Sequence, residues 1–150
     1  MHIKELGHVV LYVSDLKRSV HFYRDILGFP EVGTMDLGVN GAVAFSSGRN
    51  HHELMLIGIG GKPRTKHTPE PGLYHIGLKI GDSHDDIIRA HKELQEKGIV
   101  LEGASDHTVT HSLYIRDPDG NEIELYADVS EEWKRDPSAV LSPIKPLDLK

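Results

Sequence analysis

The amino-acid sequence predicts a single α+β domain over residues 1–150, built from two βαβββ modules. The first observation is that a strand-like segment, a helix-like segment and three further strand-like segments occur twice in the same order. The second is a polar link rich in proline and glycine, residues 58–72, between the two repeats. We therefore expect module one at about residues 5–58, module two at about 72–128, and a C-terminal arm over 129–150.

The first module opens with alternating aliphatic residues from Val9 to Val13, a pattern typical of a strand. Ser14-Asp15 follows as a helix N-cap, because short polar side chains accept hydrogen bonds from the first free backbone N–H groups. Apolar residues then recur at helical spacing from Leu16 to Leu27, and Gly28 is a common helix stop. Three strand-like runs complete the module, at about residues 31–37, 43–45 and 53–57.

The second module repeats these signals. Alternating residues from Ile76 to Ile80 predict a strand, and Asp82-Ser83 predicts the next helix start. The helical face from Ile87 to Lys97 ends at Gly98. The strands expected after this helix lie at about residues 99–101, 112–116 and 122–126.

Composition excludes several classes of function. The net charge of −6 argues against general nucleic-acid binding, which needs a basic surface. No apolar run is long enough to cross a bilayer, so we expect no membrane partner. Cysteine is absent, which removes disulfides and thiol nucleophiles and favours a cytoplasmic location. The eleven histidines are scattered along the chain and are therefore no purification tag.

One potential metal ligand occurs on each of three predicted strands, opposite the aliphatic face. These residues are His8, His75 and Glu124, although Glu122 has the same parity as Glu124. Because strand side chains alternate between faces, all three ligands can point into one concavity while the aliphatic faces pack on helices. Two histidines and one carboxylate with open positions form the facial triad of non-haem Fe(II) oxygenases.

Two longer segments resemble a known family. The run from Gly7 to Phe29 is similar to the opening of the vicinal oxygen chelate superfamily, which includes glyoxalase I, bleomycin-resistance proteins and type I extradiol dioxygenases. The run from Asp106 to Tyr126 is similar to the signature that ends the catalytic domain of extradiol enzymes. The tail from Glu131 to Asp136 also resembles the catechol 2,3-dioxygenase-like branch.

The resemblance implies a curved mixed sheet around a metal site, with helices on its outer face. It implies that His8, His75 and Glu124 bind the metal, so it selects Glu124 over Glu122. It also implies that three further side chains act beside the substrate and oxygen: His52, His107 and Tyr114. No organic cofactor is expected.

The expected activity is Fe(II)-dependent extradiol cleavage of a catechol-like ring, although Mn(II), Zn(II) or Ni(II) would also suit such ligands. The alternative is a glyoxalase- or epimerase-type isomerase, in which Glu53 would add a fourth protein ligand. A third possibility is a drug-binding resistance protein without catalysis. We expect a small-molecule substrate with vicinal oxygens and a homodimer, because members with two modules usually pair.

Overall fold

A computed structural model describes residues 1–37, 39–64 and 69–150 of the chain. The chain divides into two compact units. The first comprises Met1–His67 with Pro118–Gly120, and the second comprises Thr68–Asp117 with Asn121–Lys150. The expected link over residues 58–72 lies partly outside the described residues.

The first unit contains a four-stranded sheet. Its elements, in chain order, are β1 (Val9–Val13), α1 (Leu16–Val20), a π-helical segment (His21–Ile26), β2 (Glu31–Met35), β3 (Ala42–Phe45) and β4 (Leu54–Gly58). The strand order is β1-β4-β3-β2, with β1 parallel to β4 and the other pairs antiparallel. This is the βαβββ connectivity that the sequence predicts.

Local signals account for the ends of the first helix. The Asp15 side chain accepts a hydrogen bond from the Arg18 backbone N–H at 3.0 Å, as an N-cap does. Gly28 has a positive φ of 72°, which favours glycine after the last helical turn. Between these ends the helix buries Phe22 and Tyr23, and the Tyr23 ring lies 6.3 Å from the Phe45 ring of β3.

The first unit also includes three residues from the second half of the sequence, Pro118–Gly120. The buried Asp119 carboxylate accepts hydrogen bonds from the Ser14 backbone N–H at 3.1 Å and from the Ser19 hydroxyl at 3.4 Å. Arg18 donates to the Pro118 carbonyl oxygen at 3.2 Å. Pro118–Gly120 thus bring a buried acceptor, the Asp119 carboxylate, to the start of α1.

The second unit contains a five-stranded sheet. Its elements are β5 (His75–Gly81), α2 (His84–Glu96), β6 (Gly103–Asp106), β7 (Thr110–Arg116), β8 (Glu122–Asp128) and β9 (Lys145–Pro146), with short 3-10 segments at Glu132–Lys134 and Pro137–Leu141. The strand order is β5-β8-β7-β6-β9, and β5 is parallel to β8. The C-terminal arm therefore ends as an edge strand, β9, which pairs with β6.

The strand expected at residues 99–101 is wrong, and the strand of this region begins at Gly103 instead. The Ile99 N–H donates to the Leu94 carbonyl at 2.9 Å, and the Gly98 N–H donates to the Gln95 carbonyl at 3.0 Å. These two bonds form a Schellman motif at the end of α2, with Gly98 at φ 68°. The Ile99 backbone thus belongs to the end of the helix, although the apolar run Ile99–Leu101 resembles a strand.

The two βαβββ repeats confirm the predicted α+β fold class. Within the described residues, no helix combines the length and the apolar character that spanning a bilayer requires.

Candidate metal and substrate sites

The second unit brings His75 and Glu124 together on neighbouring strands. His75 begins β5, Glu124 lies in β8, and the parallel register pairs Gly77 with Glu124. The His75 Nε2 atom is 3.3 Å from Glu124 Oε2. Two adjacent ligands at right angles on a metal with bonds of 2.0–2.2 Å lie about 3 Å apart. The two atoms therefore have the spacing of neighbouring ligands on one ion.

His75 also faces a second carboxylate, which the sequence interpretation did not select. Its Nδ1 atom is 3.6 Å from Glu122 Oε1 and has no hydrogen-bond partner within the described residues. Glu122 is 8% exposed and accepts a hydrogen bond from Arg116 Nη2 at 3.0 Å. Metal-binding histidines commonly turn their second ring nitrogen toward a carboxylate, which fixes the ring orientation. The surroundings of His75 therefore fit a metal ligand that binds through Nε2.

Gly77 leaves the space that the Glu124 side chain occupies. A methyl group at residue 77 would lie 3.3 Å from Glu124 Oε2 and 3.5 Å from the Tyr126 ring. The first of these distances is shorter than an ordinary contact to a Cβ atom. A side chain at residue 77 would thus press on the carboxylate that faces His75.

Tyr114 and His107 continue this polar group in the second unit. The Tyr114 hydroxyl donates to Glu124 Oε1 at 3.3 Å and lies 2.7 Å from His107 Nε2. Burial and the nearby Glu124 charge raise the pKa of Tyr114 to about 12, so its hydroxyl stays protonated near neutral pH. Tyr114 is therefore a hydrogen-bond donor between a carboxylate and an imidazole.

A tight loop positions His107 between β6 and β7. The His107 N–H donates to the Thr110 carbonyl at 2.8 Å, and the Thr108 N–H donates to Asp106 Oδ1 at 2.6 Å. Thr108 has a φ of 73°, a conformation that costs energy for a β-branched residue. This strained loop thus holds the His107 ring beside the Tyr114 hydroxyl.

The first unit brings together three imidazoles, His8, His51 and His52. The rings of His8 and His52 are stacked with centroids 4.3 Å apart, and His51 lies 4.5 Å from His52. One nitrogen from each ring lies within 4.8 Å of the other two. Burial and the neighbouring imidazoles His8 and His51 lower the pKa of His52, which favours its neutral, proton-accepting form.

Glu53 follows His52 directly but is engaged elsewhere. Its carboxylate accepts hydrogen bonds from Arg49 Nε at 2.9 Å and from the Ser47 hydroxyl at 2.7 Å. Burial alone would raise the pKa of Glu53, but hydrogen bonds from the Ser47 backbone N–H, from the Ser47 hydroxyl and from Arg49 outweigh it and lower that pKa. The positive charge of Arg49 offsets the charge of this carboxylate, which makes Glu53 a weaker ligand for a metal ion.

The predicted site residues thus fall into two groups. His75, Glu124, Tyr114 and His107 lie together in the second unit, and His8 lies beside His52 in the first. A single metal site that joins His8 to His75 and Glu124 stays a prediction. The sequence interpretation considered Glu122 but did not select it, and it did not include His51, because the positions of these side chains depend on strand register and on loop geometry.

Comparison with known proteins identifies the family. The model of the Glyoxalase/Bleomycin resistance protein/Dioxygenase superfamily matches residues 5–125. A catechol-2,3-dioxygenase of Bacillus subtilis (strain 168) is 34% identical over 135 residues, which cover 87% of this chain and 44% of that protein. A biphenyl-2,3-diol 1,2-dioxygenase 3 of Rhodococcus globerulus is 35% identical over 125 residues, which cover 82% and 63%. The chain thus spans about half the length of these relatives.

Solved structures agree on the fold. The crystal structure of a glyoxalase/dioxygenase from Nostoc punctiforme superposes with a TM-score of 0.69 at 23% identity, over 85% of this chain and 92% of that one. The family match and the fold together confirm the resemblance that the segments from Gly7 and from Asp106 carry. The chain belongs to the Glyoxalase/Bleomycin resistance protein/Dioxygenase superfamily, also known as the vicinal oxygen chelate superfamily.

Proposed function

We propose that the protein is an Fe(II)-dependent extradiol-type dioxygenase that cleaves a catechol-like ring. The observation that carries this proposal is the group in the second unit, where Glu124 faces His75 on one side and the Tyr114 hydroxyl on the other. A potential metal ligand is thereby close to the Tyr114 phenol and the His107 imidazole, which can donate or accept protons of a substrate. The similarity to two ring-diol dioxygenases supports the same chemistry.

His8, His75 and Glu124 would hold the metal. Imidazole nitrogen and carboxylate oxygen suit Fe(II), and three protein ligands leave open positions. When bound, Fe(II) would hold the two vicinal oxygens of the substrate and dioxygen, and would supply the redox chemistry.

The proton steps fall to side chains of the protein. The Tyr114 hydroxyl, kept protonated by its raised pKa, would donate a hydrogen bond to a substrate oxygen. His107 lies 2.7 Å from that hydroxyl and can replace or accept its proton. His52, held neutral by its lowered pKa, would accept the catechol proton.

The isomerase alternative has less support from the first unit. A fourth protein ligand was expected at Glu53 in that case, but the Glu53 carboxylate is bonded to Arg49 and Ser47. Without Glu53 as a ligand, the metal would keep the open positions that a bidentate substrate and oxygen need.

Pairing into a homodimer is also part of the proposal. Strand β1 carries two large exposed side chains, Val10 at 44% and Tyr12 at 69% exposure. Pairing of two copies would bury such apolar area. Sedimentation equilibrium at micromolar concentration should give the dimer mass, and a monomer mass would count against pairing. The cytoplasm is the proposed location, because the chain has no cysteine.

The central test is anaerobic reconstitution with Fe(II), followed by oxygen-uptake assays on a panel of catechols. We expect oxygen consumption and a yellow ring-opened product for at least one catechol, and no activity with Zn(II), which has no redox chemistry. Glu124→Gln should lose Fe(II), whereas Glu102→Gln, a carboxylate change on an exposed side chain, should retain it. Isomerisation of a thiohemiacetal with Zn(II) or Ni(II), without oxygen uptake on any catechol, would establish the isomerase instead.

A further inference from the structure

Two hydrogen bonds fix the chain segments that carry the three imidazoles of the first unit. The Val9 N–H, next to His8, donates to the Glu53 carbonyl, next to His52, at 2.9 Å. The Asn50 side-chain amide, next to His51, donates to the Gly7 carbonyl at 2.7 Å. These two bonds fix the chain before β1 against the loop before β4. The imidazole cluster is therefore a product of the fold and not of three independent side chains.

We propose that His8, His51 and His52 form a second metal site, which binds Zn(II) through three imidazole nitrogens. Zinc accepts three histidines and a water in a tetrahedral arrangement, and imidazole is a preferred ligand for it. This site is distinct in composition from the site proposed above, because it contains no carboxylate and lies entirely within the first unit.

The geometry needs only a small adjustment. Three nitrogens at 2.0–2.1 Å from a tetrahedral ion lie about 3.4 Å apart. The cluster has them within 4.8 Å of one another, so each ring must move inward by roughly 1 Å. His8 and His51 are exposed and can make this movement by side-chain rotation. Glu53 takes no part, because Arg49 holds its carboxylate.

The proposal has a consequence that rests on the proposed function. His8 belongs to both sites, so zinc in the imidazole cluster withdraws a ligand from the Fe(II) site. Zinc would then inhibit the Fe(II)-loaded enzyme from a position that contains neither His75 nor Glu124.

The test measures Zn(II) binding by equilibrium dialysis in a His75→Ala/Glu124→Ala background, which lacks both potential ligands of the second unit. We expect this protein to keep one zinc ion per chain. Adding His51→Ala should weaken zinc binding by at least about 10-fold, since even changes outside the ligand set cost 10–100-fold. The matched control is His21→Ala, which removes an exposed imidazole of the same unit that is bonded to Asp25. Equal zinc affinity in the His51 and His21 variants would overturn the proposal.

A second measurement uses the wild-type protein and does not depend on the folding of the multiple variants. Zinc titration followed by NMR of the histidine rings should shift the His51 signal, which the single variant His51→Ala identifies. A titration in which that signal never moves would also overturn the proposal. If instead the proposed Fe(II) site is wrong, the single variant Glu124→Ala should retain full Fe(II) content, a result that does not bear on the zinc site.

Discussion

Replacing Glu122 with glutamine tests whether a buried carboxylate sets the orientation of a metal ligand. Glu122 is 8% exposed, lies 3.6 Å from His75 Nδ1 and accepts a hydrogen bond from Arg116. Glutamine keeps the size of the side chain but removes its charge. The carboxylate would then no longer favour the His75 ring orientation in which Nε2 faces Glu124.

Two magnitudes follow from these contacts. The Arg116 guanidinium keeps its charge in the variant, so its hydrogen bond to residue 122 stays within the range of about 1.5–3 kcal/mol for charged groups and should weaken by at most about 1.5 kcal/mol. For a chain of this length, that lowers the Tm by at most about 3–6 °C. Loss of the carboxylate behind a metal-binding histidine should weaken Fe(II) binding by about 10–100-fold.

The assay combines thermal unfolding of the metal-free protein with Fe(II) dialysis under anaerobic conditions. Glu102→Gln is the matched control, because Glu102 Oε2 also approaches Arg116, at 3.6 Å from its Nε atom, but is the more exposed of the two carboxylates. We expect Glu102→Gln to leave Fe(II) affinity unchanged. If Glu122→Gln also leaves it unchanged, or if both variants lower it equally, the orienting role assigned to Glu122 is refuted.

Three further predictions concern single side chains of the second unit. Tyr114→Phe should lower kcat by about 10²–10³-fold, the usual scale for one hydrogen-bond donor to a reacting oxygen, with full Fe(II) content, and loss of the metal would contradict its role as a hydrogen-bond donor to the substrate. Gly77→Ala should weaken Fe(II) binding by displacing Glu124, with little change in circular dichroism; unaltered affinity would show that the carboxylate adapts freely. Burial lowers the pKa of His111, and the nearby His84 ring at 2.9 Å adds to this, although the Asp106 charge opposes both. The contribution of His111 to stability is therefore present above about pH 6.5 and decreases as the pH falls. Thermal unfolding from pH 7 to pH 5 should therefore show a smaller loss of Tm in His111→Gln than in the wild type, and equal losses would exclude this explanation.

The fold was accessible from the sequence because its signals are local. Asp15 and Ser83 cap their helices as expected, each by accepting a hydrogen bond from a backbone N–H three residues later. The error at residues 99–101 has a specific cause. The apolar run there resembles a strand, but the preceding glycine, Gly98, directs the Ile99 N–H back to the helix. The periodicity of apolar residues does not show which backbone N–H groups already donate hydrogen bonds to the carbonyls at a helix end.

The candidate site was accessible only in part. Strand parity correctly places His75 and Glu124 on one face, because β5 and β8 are adjacent parallel strands. Parity places Glu122 on the same face as Glu124. It therefore could not predict that Glu122 lies near His75 Nδ1 while Glu124 lies near His75 Nε2. His51 lies in a loop, where no periodicity applies, and its position depends on the hydrogen bond from Asn50 to Gly7.

The repeated architecture distinguishes Glu124, the carboxylate that we propose as a metal ligand, from Glu53 and Glu122. In the first repeat, Val9 pairs with Leu54, so the residues just before them, His8 and Glu53, are also opposite each other. In the second repeat, Glu122 pairs directly with His75.

These two carboxylates thus occupy related positions, and each is bonded to an arginine, Arg49 or Arg116. An arginine partner offsets the negative charge that would attract a cation. Glu124 instead faces an imidazole and a protonated phenol, which compensate its charge less than a guanidinium does. Arginines thus partner Glu53 and Glu122, and Glu124 is left as the carboxylate that we propose for the metal.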